Sequence, residues 1–96
     1  MEVYKITNTI NQKLYIGQTV KTAKKRFEDH KQAFKKYVKK GKNTTKLYNA
    51  FKEIGIENFK VEKIENCETR EELDKREIYW IKNLNTMEQG YNTLPG

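Results

Sequence analysis

The chain has 96 residues and one proline, with 35% hydrophobic and 34% charged residues, a composition that supports one compact domain with a modest core and leaves no room for two. No run approaches the roughly 18 apolar residues of a bilayer span and the N-terminus lacks the apolar core of a secretion signal, so a soluble, unexported, cytoplasmic protein is expected. A single Cys and a single His exclude an intrachain disulfide and a Cys/His zinc site, and the net charge of +7 is concentrated rather than spread.

Glu2–Thr7 and Lys13–Gly17 are rich in β-branched and aromatic residues, and Asn8–Gln12 between them is turn chemistry, which predicts a β-hairpin. From about Thr22 to Lys40 there is neither proline nor glycine. Ala23, Phe27, Phe34 and Val38 recur there at helical spacing, and Gly41 ends the run. Eleven of the twenty basic residues lie between Lys21 and Lys46, against Glu28 and Asp29 alone, so this segment carries +9 and the remainder −2. A localised cationic face of this kind suits a polyanion. Seventeen of the twenty cations are lysines, point charges suited to phosphates rather than to reading base edges. A solvated helix face would carry the same charge.

A shorter helix is expected over Thr45–Ile54, apolar at Leu47, Tyr48, Ala50, Phe51 and Ile54 and stopped by Gly55. Phe59–Ile64 alternates as a strand covered on one face. Thr69 and Glu72 stand at capping-box spacing ahead of a third helix running through Leu73, Glu77, Trp80, Ile81 and Leu84. The tail from Gly90 to Gly96 is loop-like. The order β-β-α-α-β-α in one domain spanning residues 1–96 implies the α+β class, a three-stranded antiparallel sheet flanked by helices.

Glu77 is the most informative side chain. Its face of the third helix otherwise holds Leu73, Trp80, Ile81 and Leu84. A carboxylate in such a stripe must be paired with a lysine or arginine, bound to a metal, or placed at the rim. Arg26 and His30, four apart on the first helix, share a face offset from the Phe27 and Phe34 stripe, at its border with solvent. A guanidinium and an imidazole there suit a phosphate needing charge stabilisation and a proton mover. Tyr4 and Tyr15 on the hairpin are ordinary packing residues taken singly. As bases they need help, since a free tyrosine titrates near pH 10.

Taken in order, Val3-Tyr4, Tyr15-Ile16-Gly17, Arg26-x-x-x-His30, Arg76-Glu77-x-x-Trp80-Ile81 and Gly90-Tyr91-Asn92 resemble the successive motifs of the GIY-YIG nuclease family over essentially the whole chain. The spacing of the later elements is most similar to the catalytic domains of phage-type homing endonucleases. The resemblance implies a metal-dependent DNA endonuclease in which Glu77 holds one divalent ion, Mg²⁺ with Mn²⁺ as a substitute. It also implies that one of Tyr4 and Tyr15 activates water, that Arg26 stabilises the transition state and that His30 relays a proton or contacts phosphate. Asn92 would orient substrate or neighbouring groups. Lys21, Lys24, Lys25 and Lys35 are the expected phosphate contacts, and a monomer acting on DNA is the expected assembly. Two positions depart from the pattern. Glu2 and Val3 stand where the first motif usually has Gly-Ile, adding an acid near the expected site, and Gln18 stands where some relatives carry lysine. A non-cleaving nucleic-acid-binding module on the same fold is the competing reading, separated from the enzyme by its lack of need for Glu77. A structural domain whose lysines only keep it soluble explains the charge but neither Glu77 nor the Arg26/His30 pair. The chain is expected to be either a fragment of a longer nuclease or a small stand-alone protein.

Overall fold

The hairpin forms as expected, with β1 (Glu2–Asn8) pairing antiparallel to β2 (Leu14–Thr19). Its turn is built by Asn8, whose Oδ1 accepts from the Ile10 amide (2.9 Å) while its backbone bonds Lys13 and Gln12. Gln12 takes the left-handed conformation that closes the turn (φ 66°). The computed structural model describes residues 1–40 and 45–93, with side chains at 1–36 and 45–93. The side chains of Val38, Lys39 and Lys40, the stop at Gly41, the cation at Lys42 and the tail residues Leu94–Gly96 lie outside that description.

After β2 come α1 (Ala23–Lys40), α2 (Lys46–Ile54), a 3₁₀ turn (Ile56–Asn58), β3 (Phe59–Asn66), α3 (Arg70–Asn83) and the short α4 (Thr86–Gln89). Thr45 is the cap of α2 rather than its first residue, and Gly55 closes that helix at φ 100°. Thr69 accepts from the Glu72 amide as expected, but the reciprocal bond of the Glu72 carboxylate goes to the Glu68 amide, so the capping box is only half formed. Thr22 caps α1 through the Lys25 amide (3.2 Å). Glu2 reinforces it from the sheet, its carboxylate accepting the Ala23 amide at 2.7 Å. Glu2 therefore does not reach the site. Its charge complements the positive end of α1.

The sheet order is β2-β1-β3, so β1 is central and buried on both faces. On one face Tyr4 and Ile6 pack with Phe27 of α1, Leu47 and Phe51 of α2, and Phe59. On the other, Val3 and Ile16 pack with Cys67 and with Leu73 and Ile81 of α3. Phe51 anchors the first cluster, its ring 4.7 Å from Phe59 and 5.5 Å from Phe34. Burial of such a ring contributes about 1.5–3 kcal/mol.

β3 is two residues longer than its alternation indicates. Alternation puts Ile64 on the α3 face, away from Phe59 and Val61, and a bulge opposite Val3 and Tyr4 brings Glu65 to that same face, where it accepts from Arg76 and Trp80. Leu84, expected on the apolar stripe, is the C-cap of α3 and is 37% exposed. Asn85 then turns the chain through a left-handed conformation (φ 51°) into α4, an element with too few residues to show a period.

Candidate active site

β2, α1, α2 and the segment after α4 bring Tyr15, Arg26, His30, Tyr48 and Asn92 to one cleft of about 450 Å³, whose α3 wall supplies Glu77 and Ile81. Tyr4 stands behind it, 1% exposed, with its hydroxyl 3.1 Å from His30 Nε2. The rings of Tyr4 and Tyr15 are 6.4 Å apart and Tyr15 meets His30 edge-on at 5.9 Å. The tyrosines converge because Tyr4 pairs with Gly17 and Ile6 with Tyr15, so both rings lie on the face that receives α1.

His30 is 5% exposed, which corrects its expected place at the border with solvent. Burial, with the Arg26 charge as the next cause, lowers its pKa to about 4, so the ring is neutral near pH 7. Burial also raises the pKa of both hydroxyls. Tyr15 and Glu77 push further on Tyr4, Glu77 and Tyr48 on Tyr15, and Arg26 opposes in each case. Both tyrosines therefore enter the site as phenols.

Gly17 is fixed by sterics. A methyl group on it would run into the end of the Tyr4 ring, and that ring, enclosed on all sides, has nowhere to go. Gly17→Ala is expected to force the Tyr4 ring out of place at a cost of about 1–3 kcal/mol in stability, keep the secondary structure, and lower the catalytic rate about 10²-fold, the scale set by a 1 Å misplacement. A circular dichroism spectrum alongside a DNA-nicking assay checks both halves.

Glu77 is 9% exposed. Among the described residues no lysine or arginine pairs with it. Its contact is a neutral one, Gln18 Nε2 donating to its Oε1 at 3.0 Å and to Asp74 Oδ1 at 2.9 Å. Burial raises its pKa, the Gln18 hydrogen bond opposes, and Asp74 adds to the rise. Gln18 Oε1 is itself buried without a hydrogen-bond partner among the described residues. Glu77 and Asp74, two carboxylates bridged by one amide nitrogen, offer an oxygen-only pair of donors. Such a pair fits a hard divalent cation.

Asn92 spends its amide on β2, Oδ1 accepting from the Ile16 amide (2.8 Å) and Nδ2 donating to the Ile16 carbonyl (2.9 Å). Beside it the Tyr91 amide donates to the Leu14 carbonyl, and Gly90 passes so close to that carbonyl that a Cβ would strike it. The segment thus clamps the free edge of β2 between Tyr15 and Gly17.

The lysines do not converge. At about 100° per residue, Arg26, His30 and Ala33 share the cleft face of α1. Lys24 instead lines a separate groove with Phe27, Glu28 and Lys31, and Lys35 falls half a turn away from Arg26. Lys21 and Lys25 are exposed, and Lys25 pairs with Asp29 at 3.3 Å. The sequence reading missed Asp74, Tyr48 and the bridging role of Gln18. Asp74 carries the one available signal, its i, i+3 spacing to Glu77.

Residues 1–92 match the model of the GIY-YIG catalytic domain. The chain is 35% identical to Intron-associated endonuclease 1 of Enterobacteria phage T4 over 94% of its own length and 35% of the relative's. It is 29% identical to Uncharacterized protein 019R of Invertebrate iridescent virus 6 over 98% of its length and 31% of that relative's. It therefore spans about a third of the length of these curated relatives. Among solved structures, the catalytic domain of homing endonuclease I-TevI superposes with a TM-score of 0.73 at 30% identity, covering 97% of both chains. A mutant of the same domain superposes with a TM-score of 0.76 at 29% identity, covering 100% of this chain and 97% of that one.

Proposed function

The chain belongs to the GIY-YIG family, and from that premise we propose that it is a DNA endonuclease domain that hydrolyses phosphodiester bonds with one divalent cation, Mg²⁺ or Mn²⁺. The observation that carries this reading is Glu77, a buried acid without a cationic partner among the described residues, in the wall of a cleft that also holds Arg26, His30 and Tyr15. A protein that only binds nucleic acid has no use for a carboxylate there, which desolvation destabilises.

Glu77 would hold the ion, with Asp74 and Gln18 beside it. The chemistry supplied there would be polarisation of a phosphate oxygen, and the charge by which Glu77 raises the Tyr15 pKa would be offset. Tyr15, at the cleft, positions the attacking water, and Tyr4 passes protons between that region and His30. Arg26 donates to the phosphate oxygens as negative charge builds on them. Asn92 acts through β2, keeping Tyr15 in register. Lys25 is the lysine of the expected phosphate set nearest the cleft face of α1, and Lys21, Lys24 and Lys35 would add only diffuse attraction. With few arginines the domain would bind DNA weakly, with loose sequence preference and steep salt dependence. It would act as a monomer, in the cytoplasm of a host cell.

Supercoiled plasmid incubated at low salt tests this reading. Nicking with Mg²⁺ that EDTA abolishes is the expected result. Tight plasmid binding with no nicking in Mg²⁺ or Mn²⁺ would replace it with the binding module.

A further inference from the structure

His30 is the chain's single histidine, and both its ring nitrogens face tyrosine hydroxyls, Tyr4 at Nε2 (3.1 Å) and Tyr48 at Nδ1 (3.0 Å). A neutral imidazole has one donor nitrogen and one acceptor nitrogen, so the two tyrosines meet it with opposite polarity. The nuclease reading decides the direction. For Tyr4 to pass its proton to His30, its O–H must point at Nε2 across the 3.1 Å contact. Nε2 is then the acceptor and the ring proton sits on Nδ1, donated to the Tyr48 oxygen.

We propose that Tyr48 is a positioning residue that holds His30 in its Nδ1–H tautomer, so that an unprotonated Nε2 faces the Tyr4 hydroxyl. The ring of Tyr48 is fixed for this purpose, stacked on Phe51 at 5.7 Å and 22° and meeting Phe34 at 6.1 Å and 70°. His30 stands perpendicular to it at 5.8 Å and 87°. These rings set the direction of the Tyr48 hydroxyl, and the partner of one ring nitrogen determines what the other can do. The catalytic consequence rests on the nuclease reading. As the attacking water loses a proton to the Tyr4 oxygen, the Tyr4 O–H bond breaks and its proton passes to Nε2. Tyr4 thus ends as a phenol, His30 becomes imidazolium and the water becomes hydroxide.

Because there is one histidine, long-range ¹H–¹⁵N spectra of the uniformly labelled chain report His30 without ambiguity. The wild type is expected to show protonated Nδ1 and bare Nε2. Tyr48→Phe keeps the stacked ring and removes only the oxygen. It is expected to move the ring toward the Nε2–H form and to slow nicking at least about 10-fold at unchanged DNA affinity, the low end of the effect of removing an orienting partner. An Nε2–H tautomer in the wild type, or one that Tyr48→Phe leaves unchanged, would overturn the proposal. A shifted tautomer with wild-type nicking would overturn its catalytic half. A wild type that never nicks would overturn the nuclease reading instead, with the spectra still deciding what Tyr48 does.

Discussion

Glu77→Gln is expected to lower Mg²⁺-dependent nicking by about 10³-fold or more while leaving the chain as stable as before, or more so. The loss follows from the several kcal/mol of charge stabilisation that a bound metal gives the transition state, at about 1.4 kcal/mol per tenfold in rate. The gain follows from burial. Glu77 is met by an amide rather than a cation, so ionising it in the folded chain is unfavourable and the neutral amide avoids that cost. The sign is open to direct test. Burial raises the Glu77 pKa above its ordinary 4.5, so the folded chain binds this proton more tightly than the unfolded chain. Stability associated with the protonated acid is present below the unfolded pKa and is lost as pH rises through the raised folded value. Thermal melts without metal should therefore show the Gln variant gaining on the wild type as pH rises, with no such gain in strong acid. A variant that is both inactive and clearly less stable at pH 8 would mean that Glu77 has a cationic partner in solution.

Arg26→Ala is expected to reduce the nicking rate about 10²–10³-fold, the cost of removing one preorganised donor to a developing oxyanion, with DNA affinity changed much less. Only one of many cations is lost, so the salt slope of binding should fall by no more than about one. A second readout comes from the neighbours of Arg26. The guanidinium is the second-largest cause of the depressed His30 pKa, after burial. Removing it should raise that pKa from about 4, though burial keeps it below the ordinary value. It should also take away the charge that opposes the raised pKa of Tyr4 and Tyr15. Single-turnover nicking at saturating DNA, together with an NMR titration of His30, separates transition-state loss from weakened binding. An equal loss in affinity and no change at His30 would place Arg26 outside the site.

Much of the fold was legible because it rests on local signals: the turn residues around Asn8, the Thr69 cap and the glycine that ends α2. What escaped was non-local. The bulge in β3 turns Glu65 to the same face as Ile64, toward Arg76 and Trp80 of α3, and nothing in the strand itself announces which partner imposes it. α4 follows from a left-handed Asn85 and from a chain that must return to the edge of β2. Glu2 reads as an acid near the hairpin until α1 is placed over it. At the site, Glu77 stood out because a carboxylate interrupts an apolar stripe. Tyr48 did not, since a tyrosine on the apolar side of a helix has the pattern of a core residue. Its hydroxyl matters only once α1 and α2 are packed together. The lysines misled in the other direction, their density along α1 hiding the fact that a helix distributes them around its circumference.

Mn²⁺ titration followed through the amide spectrum tests the metal assignment most directly. Paramagnetic broadening should begin at Gln18, Asp74 and Glu77 and disappear from that region in Glu77→Gln. Broadening centred instead on Glu65, Cys67 and Glu72, whose side chains also approach one another within 4.8 Å, would contradict a site built on Glu77.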